Sequence, residues 1–461
     1  MINPSRRNLI VFSLFAVLLL IWSVRLLSPW DYRATWNSAK GALSTQLSGP
    51  GNTPPGSNGV QPSVVDVYFE QAFSRETPSR YDYPGLQEAC GRTAWRDDVY
   101  VKCQGMSAGM TSIVNQVKVC LKIAIETGSH IVLPAMPLRD STDLQQFNIE
   151  NKDAYMTYDQ WFDVDHLREV MGRTCPKLKI VHPNELDVSV PVKHHWEILC
   201  SQATGFPGYG PFFWVGNPYD LFFQEQLELL QRNQSLKPEE NKKTGITLID
   251  VDSKFVLFRI TDDPTGQQLR IWNDLAIVIR YKQEPREIAN RLVDKLKLQG
   301  AYYGVHFRVE KDSFWSSFEH QLSTDLDGLD KAWAKFGSFG LSKPVVYVAC
   351  GDVTQAQRFV KAAAERGWEA THKWKLLEDD PETTTLVNAL PFDFQGAVDL
   401  GIMMRAQFFF GITGSAFSST VSQLRDPSGR YRGSSLQLAD DAGARSHLFF
   451  DGDAGGYPCC L

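Results

Sequence analysis

Between Pro285 and Arg425 the sequence alternates short apolar runs with amphipathic helical patterns, and few folds accept that rhythm. Pro285 suits a first helical turn, and Ile288, Leu292, Val293 and Leu296 then recur at helical spacing up to Gly300. The apolar run 301–307 follows, then "VVYVAC" at 345–350, helical patterns at 354–366 and 397–405, "QFFFGI" at 407–412, and a helix opened by "TGSAFSSTVSQLR". Wholly apolar strands separated by helices imply a parallel sheet covered on both faces. Ligands of such open sheets bind outside the carboxyl ends of the strands.

A similar unit lies earlier. A strand at 99–104 leads through a glycine turn to a helix with Ile113, Val117, Leu121 and Ala124 on one face, then to a strand at 130–135. From there to about residue 275 the signals mix, with "LKIVHP" and "GITLIDV" the clearest strands. A chain of 461 residues, 43% hydrophobic, exceeds what one core fills, since single cores stop growing near roughly 250–300 residues. The expected architecture is α/β, with two Rossmann-like domains facing a cleft, one at 84–283 and one at 284–461.

Residues 9–24 form an uncharged apolar run that Arg25 interrupts and Leu26 and Leu27 extend. About 17–25 residues span a bilayer, and Arg25 near the end can snorkel beside Trp22 and Trp30. Arg6 and Arg7 favour a cytoplasmic tail at 1–8, and no small-residue cleavage site follows, so 9–27 reads as a signal-anchor helix of a single-pass type II protein. Residues 28–83 read as a flexible stem, because "LSGPGNTPPGSNGVQPS" offers nothing for a core to bury. The remainder would face the secretory lumen, where eight cysteines can pair and the "NQS" sequon at Asn233 can carry a glycan. A short span suits early secretory membranes. No cysteine–histidine cluster has zinc spacing. With 47 Lys and Arg against 53 Asp and Glu and no long basic run, nucleic acid is excluded as a partner.

Three stretches could carry chemistry. "AYYGVHFRVEKD" (301–312) ends a buried strand in His306, Arg308, Glu310, Lys311 and Asp312, at the edge where ligands sit. The planar guanidinium of Arg308 suits phosphate, and the alternative is an ordinary surface ion pair with Glu310 or Asp312. In "FFFGITGSAFSST", Gly411 and Gly414 flank a strand-to-helix turn followed by Ser415, Ser418 and Ser419. Free N–H groups at such a helix start bind phosphate, the alternative being capping by Thr413 or Ser415. Together the two sites suggest a nucleoside diphosphate. In "CQGMSAGMTS", Gln104, Gly105, Met106, Ser107 and Gly109 form a glycine loop that lets backbone approach a ligand. The same loop matches G-x-S-x-G, with Asp399 and His447 available as partners for a Ser107 nucleophile, although a hydrolase elbow follows several strands and this one follows the first. Acidic D-x-D pairs occur at 163–165, 250–252, 325–327 and 451–453. Only Asp250 and Asp252 follow a clear strand and could hold a divalent ion, and solvated surface is expected for the rest.

The stretch "GVHFRVEKD" resembles the H-L-R-F-E-K-D box of the GDP-fucose protein O-fucosyltransferase-like superfamily. "FDVDHL" (162–167), the glycine-loop segment ending in "VLPAM", and "AVDLGIMMRAQFFFGITGSAFSSTVSQLRD" resemble other segments of that family in the same order, over roughly residues 90–430. The resemblance implies a GT-B fold, lumenal placement in the endoplasmic reticulum or Golgi, and inverting transfer of fucose from GDP-fucose to a protein or glycan hydroxyl, with no metal required. It implies that Arg308 holds the β-phosphate and stabilises the leaving diphosphate, that His306 sits beside it, and that Asp399, Ser415 and Phe417, with Ser418 next in the turn, belong to the donor site. The loop at Gln104 departs from the family by lacking its Asn or acid, Phe307 replaces a Leu, and the turn lacks a Ser-Ser pair. The broader superfamily includes UDP-rhamnose enzymes, and a catalytically inactive binding relative is a further alternative.

Overall fold

Two five-stranded sheets, parallel throughout, carry the chain. The structure is a computed structural model and describes residues 64–146, 148–186, 191–199, 213–214, 219–235, 245–252, 258–259, 266–310, 316–337, 341–425 and 446–449. The expected tail, anchor helix and residues 28–63 of the stem lie outside these, as do Lys311, Asp312, Cys200, Cys459, Cys460 and the acidic pair at 451–453. No described helix is long and apolar enough to cross a membrane.

In space the first sheet runs Ile180–Val181, His130–Val132, Val99–Gln104, Ile246–Asp252, Val192–Leu199. The second runs Ala370–Thr371, Val345–Ala349, Tyr302–His306, Phe408–Ile412, Ser446–Phe449. Every residue of the second sheet's three central strands is buried, as their continuous apolar sequence requires when helices cover both faces. Strand Ile246–Asp252 instead alternates, burying Thr247, Ile249 and Val251 and turning Asp250 and Asp252 to the other face.

A single apolar core joins the sheets: Val101 and Ile249 of the first belong to the same cluster as Tyr347 and Phe409 of the second. A second cluster, with Val305, Val348 and Phe410 packed on Leu329 and Phe359, fills the other face of the second sheet. Polar contacts also cross between the halves. Asn115 on helix Met110–Thr127 donates to the Thr420 hydroxyl at 2.9 Å, and Trp161 stacks on Phe394 at 5.2 Å.

Part of the segment expected as a flexible stem, 64–83, is packed into the fold. Residues Val64–Phe73 form a helix whose Tyr68, Ala72 and Phe73 are buried, with Phe73 stacked 4.7 Å from Tyr281, and Tyr83 is buried too. Their i, i+4, i+5 spacing gives a one-sided apolar stripe, which a solvated stem would not keep. The strand expected at 130–135 stops at Val132, and Ala135–Pro137 pairs antiparallel with Tyr155–Thr157 instead. Strand Val192–Leu199 and helix Phe318–Phe336 were not legible. The first carries Lys193, His194, His195 and Glu197, and the second turns Gln321, Asp325 and Gly328 inward where an apolar period is expected.

Disulfides join Cys90 to Cys175 and Cys103 to Cys120. The second ties the strand before the glycine loop to the helix after it, closing a segment with a sequence separation of 17.

Candidate active site

The second sheet reverses its strand order between Tyr302–His306 and Phe408–Ile412, so the loops leaving their carboxyl ends diverge and open a crevice. His306, Arg308 and Glu310 leave one strand into it, and Gly414, Ser415, Ala416 and Phe417 leave the other. The first half contributes Ala108 to Ser112, the start of helix Met110–Thr127. These groups enclose a cleft of about 500 Å³.

Three cation–carboxylate pairs line this cleft. Arg308 bonds the carboxylate of Glu310, whose other oxygen accepts the Gly351 N–H at 2.7 Å. Their side chains are only 15% and 8% exposed, so the pair is not the surface network that spacing allowed. Burial is the largest influence on the Glu310 pKa and raises it, but the Arg308 charge and hydrogen bond, together with the other polar neighbours, hold the carboxyl below the usual glutamate range. The Arg308 carbonyl is fixed from behind by the Gln321 amide at 2.6 Å. Lys373 forms the second pair, 2.7 Å from Asp399 and 3.2 Å from the Cys350 carbonyl, while the Tyr347 hydroxyl donates to the other Asp399 oxygen at 2.7 Å. The third crosses the halves, with Arg139 Nε and Nη2 both reaching Asp393 Oδ1 at 3.0 and 2.9 Å.

His306 packs its ring on Phe417, 4.4 Å between centroids, and burial pushes its pKa down to about 3, so it is neutral at every physiological pH. Gly414, at φ +89°, makes the turn that carries Ser415 and Phe417 to the cleft, a conformation that strains other residues.

His306, Arg308, Asp399, Ser415, Phe417 and Gly109 of the expected site therefore meet at one cleft. Ser418 does not line it: the side chain is fully buried behind His306. The rest of the glycine loop also stands apart. Met106 and Ser107 are buried, Gly105 turns at φ +72°, and the Gln104 amide lies 3.4 Å from Glu197.

The hydrolase reading fails here. Ser107 is 0% exposed and its hydroxyl has no partner among the described residues, the strained φ of +92° falls on Ala108, and Asp399 is held by Lys373 and Tyr347. The described D-x-D pairs do not gather a metal site either: Asp250 bonds His195 at 2.7 Å, and among the described residues no three metal-ligating side chains converge. The pairs at 163–165 and 325–327 each leave one acid on the surface, Asp165 and Asp327, as expected, but not the other. Asp163 caps a helix and pairs with Arg280 at 3.3 Å, and Asp325 is buried at 4% exposure. Asn233 is exposed near the end of helix Asp220–Ser235.

Arg139, Lys373 and Asp393 were missed from sequence. A signal existed for Asp393, since an acid in the first turn after Pro391 marks a helix start, but its partner lies 254 residues away.

Besides His306, burial lowers the pKa of His166, His372 and His447 to about 4. Their folded values lie below the unfolded value near 6.5, so the unfolded chain takes up protons first as pH falls, and stability is lost between pH 6.5 and about 4. Asp274, raised to about 6, and Asp325, also raised, both mainly by burial, oppose this but are fewer. Thermal melts are expected to show a loss on the order of 2–4 kcal/mol from pH 7 to pH 5. A flat profile would contradict the neutral buried state of these histidines.

No family model matches the chain, and no curated protein matches it. Among solved structures, the chain is similar to POFUT1 in complex with GDP, at 15% identity and a TM-score of 0.42, covering 78% of this chain and 100% of that one. It is similar to fucosyltransferase NodZ from Bradyrhizobium at 14% identity and a TM-score of 0.38, covering 71% and 92%. An Arabidopsis thaliana FUT1 mutant in complex with GDP is 11% identical with a TM-score of 0.40, covering 83% and 80%.

Proposed function

We propose that the chain is a glycosyltransferase that moves fucose, with inversion, from GDP-fucose to a hydroxyl of a protein or glycan. The observation that carries this is the convergence on one cleft of the Arg308 guanidinium and the starts of helices Met110–Thr127 and Ala416–Arg425. Helix starts present unpaired N–H groups and positive potential, so the cleft suits a diphosphate. The sugar and base follow from the family resemblance of the "GVHFRVEKD" box around Arg308.

In the reaction the bond from sugar C1 to the diphosphate oxygen lengthens, positive charge grows on the sugar, and negative charge grows on the departing GDP. A fixed guanidinium is attracted more strongly to that growing charge than to the ground state, which accelerates the step. Arg308 is pre-oriented for this by Glu310 and by the Gln321 hold on its backbone. Leaving-group stabilisation by side chains makes a metal unnecessary in this account. The two disulfides and the sequon support a lumenal setting, with residues 9–27 as the membrane anchor.

Incubation of the full chain with GDP-fucose or UDP-rhamnose, with and without EDTA, tests this through slow transfer to water. Release of GDP and fucose that EDTA does not suppress is expected. GDP binding without any release would favour an inactive binding protein, and turnover of UDP-rhamnose alone would reassign the donor.

A further inference from the structure

Ser418 has a hydroxyl with two partners. It accepts the Ile412 N–H at 3.0 Å and lies 2.7 Å from Nδ1 of His306. The side chain is fully buried, and among the described residues no other acceptor bonds the hydroxyl, so its single proton goes to the imidazole. Nδ1 is then an acceptor, and the ring proton of a neutral His306 resides on Nε2. That nitrogen is not among the buried orphan atoms, and the ring lines the cleft. The approach depends on Gly411, because a Cβ there would stand 2.6 Å from the Ser418 hydroxyl.

We infer that Ser418 is a positioning residue that fixes the Nε2–H tautomer of His306, so that the ring offers a hydrogen-bond donor to an acceptor oxygen of the sugar nucleotide. The identity of that ligand rests on the function proposed above. Phosphate oxygens only accept, so the opposite tautomer would turn a lone pair towards them and repel. The relay runs from the Ile412 amide through the Ser418 hydroxyl to the imidazole, and connects the end of strand Phe408–Ile412 to that of Tyr302–His306.

The test has two arms on the full chain. Nitrogen-15 NMR of labelled histidine is expected to show His306, identified by its loss in His306→Gln, as the Nε2–H tautomer, and Ser418→Ala should shift it towards a mixture while Ser418→Thr restores it. GDP affinity is expected to fall about tenfold in Ser418→Ala. His306→Gln places an amide donor near the Nε2 position, so Ser418→Ala should cost little more in that background. An Nδ1–H tautomer, an unchanged spectrum in Ser418→Ala, or an equal affinity loss in both backgrounds would overturn the inference. If wild-type chain shows the expected tautomer but does not bind GDP, the nucleotide reading fails and the tautomer assignment stands.

Discussion

Arg308→Ala is expected to lower GDP-fucose turnover by about a hundredfold to a thousandfold, the cost of removing one preorganised charge that acts in the transition state. The loss should fall mainly on kcat, because the attraction grows as the diphosphate leaves. GDP affinity should also fall, since the same fork holds the ground-state phosphate. Arg308→Lys provides the control: it keeps the charge but not the planar pair of N–H groups, so intermediate turnover is expected. Because the alanine variant leaves Glu310 buried without its cation, its melting temperature must be measured alongside. A variant that folds and retains wild-type turnover would remove Arg308 from the mechanism.

Lys373→Ala is expected to destabilise the fold by about 3–5 kcal/mol, because it strands the Asp399 carboxylate beside a strand that is buried on both faces. Lys373 and Asp399 are 2% and 8% exposed in their side chains and lie 2.7 Å apart. Replacing both, as Lys373→Met with Asp399→Leu, removes the pair together with its desolvation cost and should destabilise much less than the two single changes summed. Tyr347 would lose its acceptor in that double variant, so a residual cost of about 1–3 kcal/mol is expected. Urea unfolding of the wild type, Lys373→Met, Asp399→Leu and the double variant gives the coupling energy. Additive losses would mean that the two charges do not act as a pair.

The parts of the site that were legible are those written in local pattern. The apolar run ending in His306 and Arg308, and the glycine turn before Ser415, both announce a strand reaching its carboxyl end, and the sheet's strand order brings those ends together. Pairings made by topology were not legible. Arg139 meets Asp393 across 254 positions, and Lys373, just after strand Ala370–Thr371, meets Asp399 midway along helix Phe392–Arg405. Depth was also hidden: Ser107 and Ser418 read as surface chemistry in their glycine-rich turns, yet both are fully buried. The glycine at 411 is what lets Ser418 descend. Asp325 misled for a similar reason, since an acid in the polar run Ser323-Thr324-Asp325 gives no sign that helix Phe318–Phe336 rolls it inward.

The most direct test of the account is thermal stabilisation of the wild-type chain by GDP, UDP and ADP, each with and without EDTA. Binding to the folded state alone stabilises by RT ln(1 + [L]/Kd), about 2.7 kcal/mol at a hundredfold excess over Kd. A saturable shift with GDP that exceeds those with UDP and ADP and survives EDTA is expected. No shift with any of the three nucleotides would contradict the account.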